Sequence, residues 1–125
     1  MSVDQLQHVN IRCVNAARSR DFYVEYIGLV DGDRPPVGTV GYWLYLAGVP
    51  VIHLTERTAT HGPALTGSGA IDHIAFRGVD LDGTRARLDA AGVPYRQDVI
   101  PRDGTIQLFI VDPDGVKVEL NFLSA

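Results

Sequence analysis

The chain repeats itself at an interval of about 65 residues, and the repeat carries metal-ligating side chains with it. His8 lies in the run LQHVNI and His73 in IDHIAF, 65 residues further on; His53 lies in VPVIHL and Glu119 in VKVELNF, 66 residues further on. A fold that suits one half must suit the other, so the 125 residues are constrained to two like modules.

The order of elements supports the repeat. Residues 6–13, LQHVNIRC, alternate with period two and predict a strand. Asn15 then offers a side-chain cap for a helix over Ala16 to Ile27, which Gly28 ends. Strands follow at Leu29 to Asp33, Gly41 to Ala47 and Val51 to Thr55. Residues 56–69, ERTATHGPALTGSG, are polar, broken by three glycines and a proline, and predict a loop or linker in which His61 is a loop residue. The order then returns: a strand over Ile71 to Arg77, a helix capped by Asp80 and ended by Gly92, and strands at Val93 to Ile100, Ile106 to Val111 and Val116 to Phe122. Asp112-Pro113-Asp114-Gly115 is the turn before the last of these. The expectation is one α+β domain over residues 1–125, built from βαβββ modules at 1–57 and 70–125.

Composition excludes several partners. The net charge is −4, the arginines are scattered and Lys117 is the single lysine, so no basic stripe suits nucleic acid. Val37 to Leu54 contains no Asp, Glu, Lys or Arg, but Gly38, Gly41, Gly48 and Pro50 punctuate it, which fits two strands and a turn rather than a membrane span. The N-terminal residues lack the apolar stretch of a signal peptide. Cys13 is the only cysteine and falls on an apolar strand face with Val9 and Ile11, as a buried, inert thiol would. The reading is a cytoplasmic protein with no membrane partner.

On their strands, His8, His73 and Glu119 each fall on the more polar side. His8 shares a face with Asn10 and Arg12, His73 with Ile71, Ala75 and Arg77, and Glu119 with Lys117 and Asn121. His53 shares its face with Val51 and Thr55 and is less polar in its setting. A single strand histidine is ordinarily structural, and a single glutamate on an edge strand is ordinarily solvated. Four such residues at equivalent places in a duplicated unit point instead to a divalent metal site with His8, His53, His73 and Glu119 as ligands. Imidazole with carboxylate suits Zn, Ni, Fe, Mn or Co. Such an ion acts as a Lewis acid on a small substrate with neighbouring oxygens. No nucleophile elbow, P-loop or paired-cysteine motif competes with this reading.

With SRDFYVEYIGL, DHIAF and QLFIVDPDGVKVEL ending in Glu119, the chain resembles the vicinal oxygen chelate superfamily over nearly its whole length. That group includes glyoxalase I, fosfomycin-resistance proteins, extradiol dioxygenases, methylmalonyl-CoA epimerase and bleomycin-resistance proteins. The resemblance implies a curved mixed sheet with a metal-binding concave face. It also implies His8, His73 and Glu119 as ligands and His53 at a fourth position that glyoxalase I usually fills with Glu. By the same resemblance Glu119 is the base that moves the substrate proton, Arg12 matches an arginine that helps bind glutathione, and the assembly is a homodimer.

The sequence departs from each familiar member. The residues after Glu119 offer no cation to hold a phosphonate, Tyr42 and Tyr45 on the third strand do not match the dioxygenase pattern, and the linker lacks the inserted segment expected of the glutathione-using kind. Three activities therefore stand open: a metal-dependent lyase or isomerase of the glyoxalase I type, a single-domain Fe(II) dioxygenase using His8, His73 and Glu119, and a metal-free ligand-sequestering protein. Trp43, Tyr45 and Phe109 would line a groove in any of the three or simply fill the core.

Overall fold

A computed structural model describes residues 2–123. The chain divides into two compact units, Met1–Ala64 and Leu65–Ala125, and each holds one four-stranded mixed sheet.

In the first unit, β1 (Val9–Cys13) leads into α1 (Ala16–Phe22), which continues as a π-helical turn over Tyr23–Ile27. β2 (Val30–Gly32), β3 (Gly41–Leu46) and β4 (Val49–Glu56) follow. The strands lie in the order β1-β4-β3-β2, with β1 and β4 parallel and the other pairs antiparallel. A parallel neighbour cannot be reached by a tight turn, so the helix and two strands between β1 and β4 form the necessary crossover. The β3–β4 hairpin closes on Ala47 and Gly48, with φ of 50° and 81°. Two positive φ values make the turn whose twist matches that of the flanking strands.

The second unit repeats the plan with β5 (His73–Arg77), α2 (Leu81–Ala90), β6 (Arg96–Val99), β7 (Ile106–Val111) and β8 (Lys117–Phe122). Its strand order is β5-β8-β7-β6, again with the first and last strands parallel. The α+β class and the two βαβββ modules read from the sequence are thus present.

Both predicted N-caps are in place. Asn15 Oδ1 accepts from Arg18 N at 3.0 Å and Asp80 Oδ1 from Gly83 N at 3.0 Å, each satisfying an amide that the first helical turn leaves open. Gly28 closes the first helical segment at φ 89°. Each sheet buries one face: Ile11, Cys13, Leu44 and Leu54 in the first unit, Leu108, Ile110, Val118 and Leu120 in the second. The thiol of Cys13 is buried, as its strand position predicts.

Several boundaries move. β1 starts at Val9, so His8 precedes the strand. The parallel ladder begins at Val9↔Ile52, and residues upstream have no partner strand to hold them. The helix expected through Ile27 gives way to a π turn at Tyr23, where Gly28 N and Leu29 N both donate to Tyr23 O at 3.0 and 3.1 Å. β6 starts at Arg96 rather than Val93, because Val93 N donates back to Leu88 O at 2.9 Å and belongs to the end of α2. In the loop at 56–69, His61 Nδ1 accepts from Thr58 N at 2.8 Å and caps the short 3-10 turn Ala59–His61. None of the described helices is long and apolar enough to cross a membrane.

Candidate functional site

In each unit the parallel pairing of first and last strands brings the two candidate ligands together. In the first unit, His53 on β4 pairs across the ladder with Asn10, two residues beyond His8. Their rings stack, with centroids 3.7 Å apart and planes 6° from parallel. Trp43, the register partner of His53 on β3, stacks on the other side at 4.2 Å and 15°. Trp43, His53 and His8 thus form a column of three rings across β3, β4 and the approach to β1.

His53 is neither ordinary core nor solvated surface. Its Nε2 is buried and has no hydrogen-bond partner among the described residues. Burial, first, and then the nearby His8 hold its pKa below the ordinary value; an interaction with the backbone of Pro50 opposes this, and Arg34 adds a smaller push downward. Proline has no backbone N–H, so Pro50 offers its carbonyl.

In the second unit, Glu119 on β8 stands between β5 and β7, an inner position rather than the exposed edge that its lone sequence context suggests. It is 8% exposed. His73 Nε2 lies 3.7 Å from Glu119 Oε1. Each carboxylate oxygen also accepts from an amide: Gln107 Nε2 donates to Oε1 at 3.1 Å and Asn121 Nδ2 to Oε2 at 2.8 Å. Gln107 Nε2 further donates to Asn121 Oδ1 at 3.1 Å, which ties the two amides to each other. His73 Nδ1 is 2.8 Å from Asp72 Oδ2, and Lys117 Nζ donates to that same oxygen at 3.0 Å. Both contacts pull the Asp72 carboxyl below its ordinary pKa, the His73 bond most strongly. Phe109 presents an edge to His73, with Arg96 lying 4.3 Å over its ring.

Trp43, Tyr45 and Phe109 are half-buried; Trp43 lies against His53 and Phe109 against His73, whereas Tyr45 donates its hydroxyl to Asp33 O at 2.6 Å. Period two alone could not separate the alternatives, because an aromatic ring suits either face of a strand. Arg12 is exposed on the same face as Asn10, which binds Thr55 Oγ1 at 3.1 Å. Gln107 and Asp72 were not singled out from the sequence. The signals were available: Gln107 alternates with Leu108 on β7, and Asp72 precedes His73 as Gln7 precedes His8.

Within the second unit, the imidazole and carboxylate of His73 and Glu119 are donor types that suit a divalent cation. His53 has a buried ring nitrogen with no partner among the described residues, and His73 and Glu119 face each other at 3.7 Å. Two ligands with bonds of ~2.1 Å to one ion hold their donor atoms roughly 3.0–3.4 Å apart, close to the His73–Glu119 separation. Among the described residues, no group of three or more His, Cys, Asp or Glu side chains is gathered closely enough to hold an ion; the candidates stand as two pairs. A separate cleft in the second unit, about 510 Å³ and bordered by Arg77, Leu81, Ile106 and Phe122, contains none of the four.

The family model of the Glyoxalase/Bleomycin resistance protein/Dioxygenase superfamily matches residues 5–120, and the chain belongs to that superfamily. Solved structures agree on the fold. A glyoxylase/bleomycin resistance protein/dioxygenase domain from Frankia sp. EAN1pec superposes with a TM-score of 0.79 at 21% identity, covering 98% of this chain and 100% of the other. The fosfomycin resistance protein FosX from Listeria monocytogenes gives 0.75 at 16% identity, covering 98% and 95%. TnmS3, an antibiotic binding protein from Streptomyces sp. CB03234, gives 0.69 at 25% identity, covering 99% of each chain. No curated protein matches the chain.

Proposed function

We propose that the protein is a metal-dependent enzyme of the glyoxalase I type, an isomerase or lyase acting on a small molecule with adjacent oxygens. The observation that carries this reading is the pairing within each unit: His8, just before β1, meets His53 on β4, and His73 on β5 meets Glu119 on β8. His8, His53, His73 and Glu119 are the ligands, and a bound divalent ion (Zn, Ni, Fe, Mn or Co) would polarise the substrate's oxygens and lower the pKa of the neighbouring C–H.

The chain's own residues supply the rest. Glu119, the one carboxylate in the set, takes the proton from the hydroxyl-bearing carbon beside the substrate carbonyl and returns it to the former carbonyl carbon, while the hydroxyl proton passes to the former carbonyl oxygen, an isomerisation with no net change in atoms. Gln107 and Asn121 each donate to one of its oxygens and aim the carboxylate from β8. Trp43 and Phe109 flank the two pairs with apolar surface that sheds water. The reading includes a homodimer of the 13.6 kDa chain, which light scattering would register at twice that mass.

Elemental analysis of the purified protein, beside His73→Ala and Glu119→Gln, tests the assignment. Near-stoichiometric divalent ion in the native protein and a large loss in both variants support it. Retention of full metal content by either variant would remove that residue from the ligand set. Turnover of a hemithioacetal with Ni, Zn or Co supports the isomerase; oxygen uptake with a catechol after anaerobic Fe(II) loading would move the assignment to a dioxygenase.

A second reading is favoured by one specific observation. The ring column of Trp43, His53 and His8 offers a flat stacking surface, and TnmS3 is an antibiotic binding protein. On that reading the protein sequesters a planar ligand without chemistry, purifies free of metal, and binds the ligand equally well in the presence of a chelator.

A further inference from the structure

We propose that Asp72, anchored by Lys117, is a positioning residue that fixes the tautomer of His73 so that Nε2 is the nitrogen offered to a cation. The inference rests on the reading of His73 as a ligand and adds residues that no ligand motif includes.

Asp72 immediately precedes His73, and its Oδ2 lies 2.8 Å from the ring's Nδ1. An ionised carboxylate only accepts, so the nitrogen facing it carries the hydrogen. In the neutral ring the lone pair is then on Nε2, which is the nitrogen 3.7 Å from Glu119 Oε1. A metal needs that lone pair, and a ring held in the other tautomer would present N–H to the site instead.

Asp72 cannot hold the ring by packing, since its side chain is 71% exposed. Lys117 does the holding. It is the register partner of His73 across the β5–β8 ladder, and its Nζ donates to the same Asp72 oxygen at 3.0 Å. The single lysine of the chain thus keeps the carboxylate turned toward the imidazole rather than into solvent.

His8 is arranged alike, its Nδ1 2.9 Å from Oε1 of the preceding Gln7. Only at His73 is the facing acceptor an anion, which makes its Nε2 the stronger donor of the two.

The test uses the full-length protein labelled with ¹⁵N and free of metal, at a pH where the rings are neutral. Imidazole ¹⁵N shifts then report which nitrogen of each ring is protonated. The native protein should show His73 mainly as the Nδ1–H tautomer, the less common form of free histidine. Asp72→Ala should shift His73 toward Nε2–H and weaken Zn affinity ~10–100-fold, while leaving His8 unchanged. Asp72→Asn, which keeps an acceptor oxygen, should restore the tautomer in large part, and Lys117→Met should produce a smaller shift in the direction of Asp72→Ala. A native His73 already in the Nε2–H form, or one that does not respond to Asp72→Ala, overturns the proposal. If the tautomer shifts as expected but the native protein binds no Zn, the ligand assignment fails and the hold of Asp72 on the ring stands. If the native protein binds Zn and Asp72→Ala changes neither readout, the positioning role fails and the metal reading survives.

Discussion

The indole of Trp43 lies on the imidazole of His53, 4.2 Å between centroids and 15° from parallel. Trp43 is the only tryptophan, so its fluorescence reports on one candidate ligand. A protonated imidazole quenches an adjacent indole. Fluorescence should therefore fall on acidification with a midpoint below 6.5, because burial and then His8 depress the His53 pKa. The transition should vanish in His53→Gln. The linked stability follows in sign: a depressed folded pKa favours the neutral ring, so the contribution is complete above the unfolded value of 6.5 and is lost as pH falls through the folded one. Urea titrations of the two proteins across that window should converge as the pH falls. Parallel curves would show that His53 is not the linked group.

The carboxylate of Glu119 accepts one amide hydrogen bond on each oxygen. Truncating Asn121 to Ala removes a bond to a charged, buried acceptor and should cost about 1.5–3 kcal/mol of unfolding free energy. Gln107→Ala should be comparable, and the double variant should cost less than the sum, since the two amides also bond to each other. Strict additivity in chemical denaturation would show that they act independently.

Asp112 organises the turn that delivers β8. It is buried, and its Oδ1 accepts from Asp114 N and Val116 N, both at 2.8 Å. Asp112→Ala strands two backbone donors and should cost about 2–4 kcal/mol; Asp112→Asn keeps an acceptor and should cost less. Equal midpoints for the two variants in urea would contradict this account.

Gly78 follows β5 directly, and its N–H donates to Asn121 O at 2.7 Å. A methyl group added there would meet the ring of Phe122 at 2.3 Å. Gly78→Ala should therefore destabilise by ~1–3 kcal/mol through forced displacement of the ring. Relief should come from Phe122→Leu in the same chain. A thermal shift that Phe122→Leu does not reduce would place the strain elsewhere.

Much of this architecture was legible in the residues because local signals and global pattern agree. Ile106–Val111 is a strand over the span read from its apolar run, and Asn15 and Asp80 cap the helices they precede. Where a boundary depends on a remote partner, the sequence is silent. Leu6 alternates as a strand residue would but is 85% exposed, because the ladder to β4 begins only at Val9. The π turn at Tyr23 adds one residue to a helical circuit, a change too small for hydrophobic period to register. α2 buries only Thr84 and Leu88, so its caps mark it more clearly than its faces do.

The candidate ligands were legible through duplication, and their settings were not. Glu119 reads as a solvated residue until strand order places β8 between β5 and β7. His53 reads as one side chain among Val51 and Thr55 until Trp43 and His8 are seen on either side of its ring. Gln107 lies 12 residues from Glu119 in sequence, and only the antiparallel ladder makes them neighbours. Partners of that kind are decided by register, which no single segment encodes.

Each repeat lays its closing strand against its opening one, so a corner with two candidate ligands is assembled from the two extremes of a module. The intervening helix and hairpin can be lengthened, trimmed or rewritten while that corner keeps its spacing. A lineage built this way is free to redraw the surrounding surface without disturbing the pairing of its first and last strands.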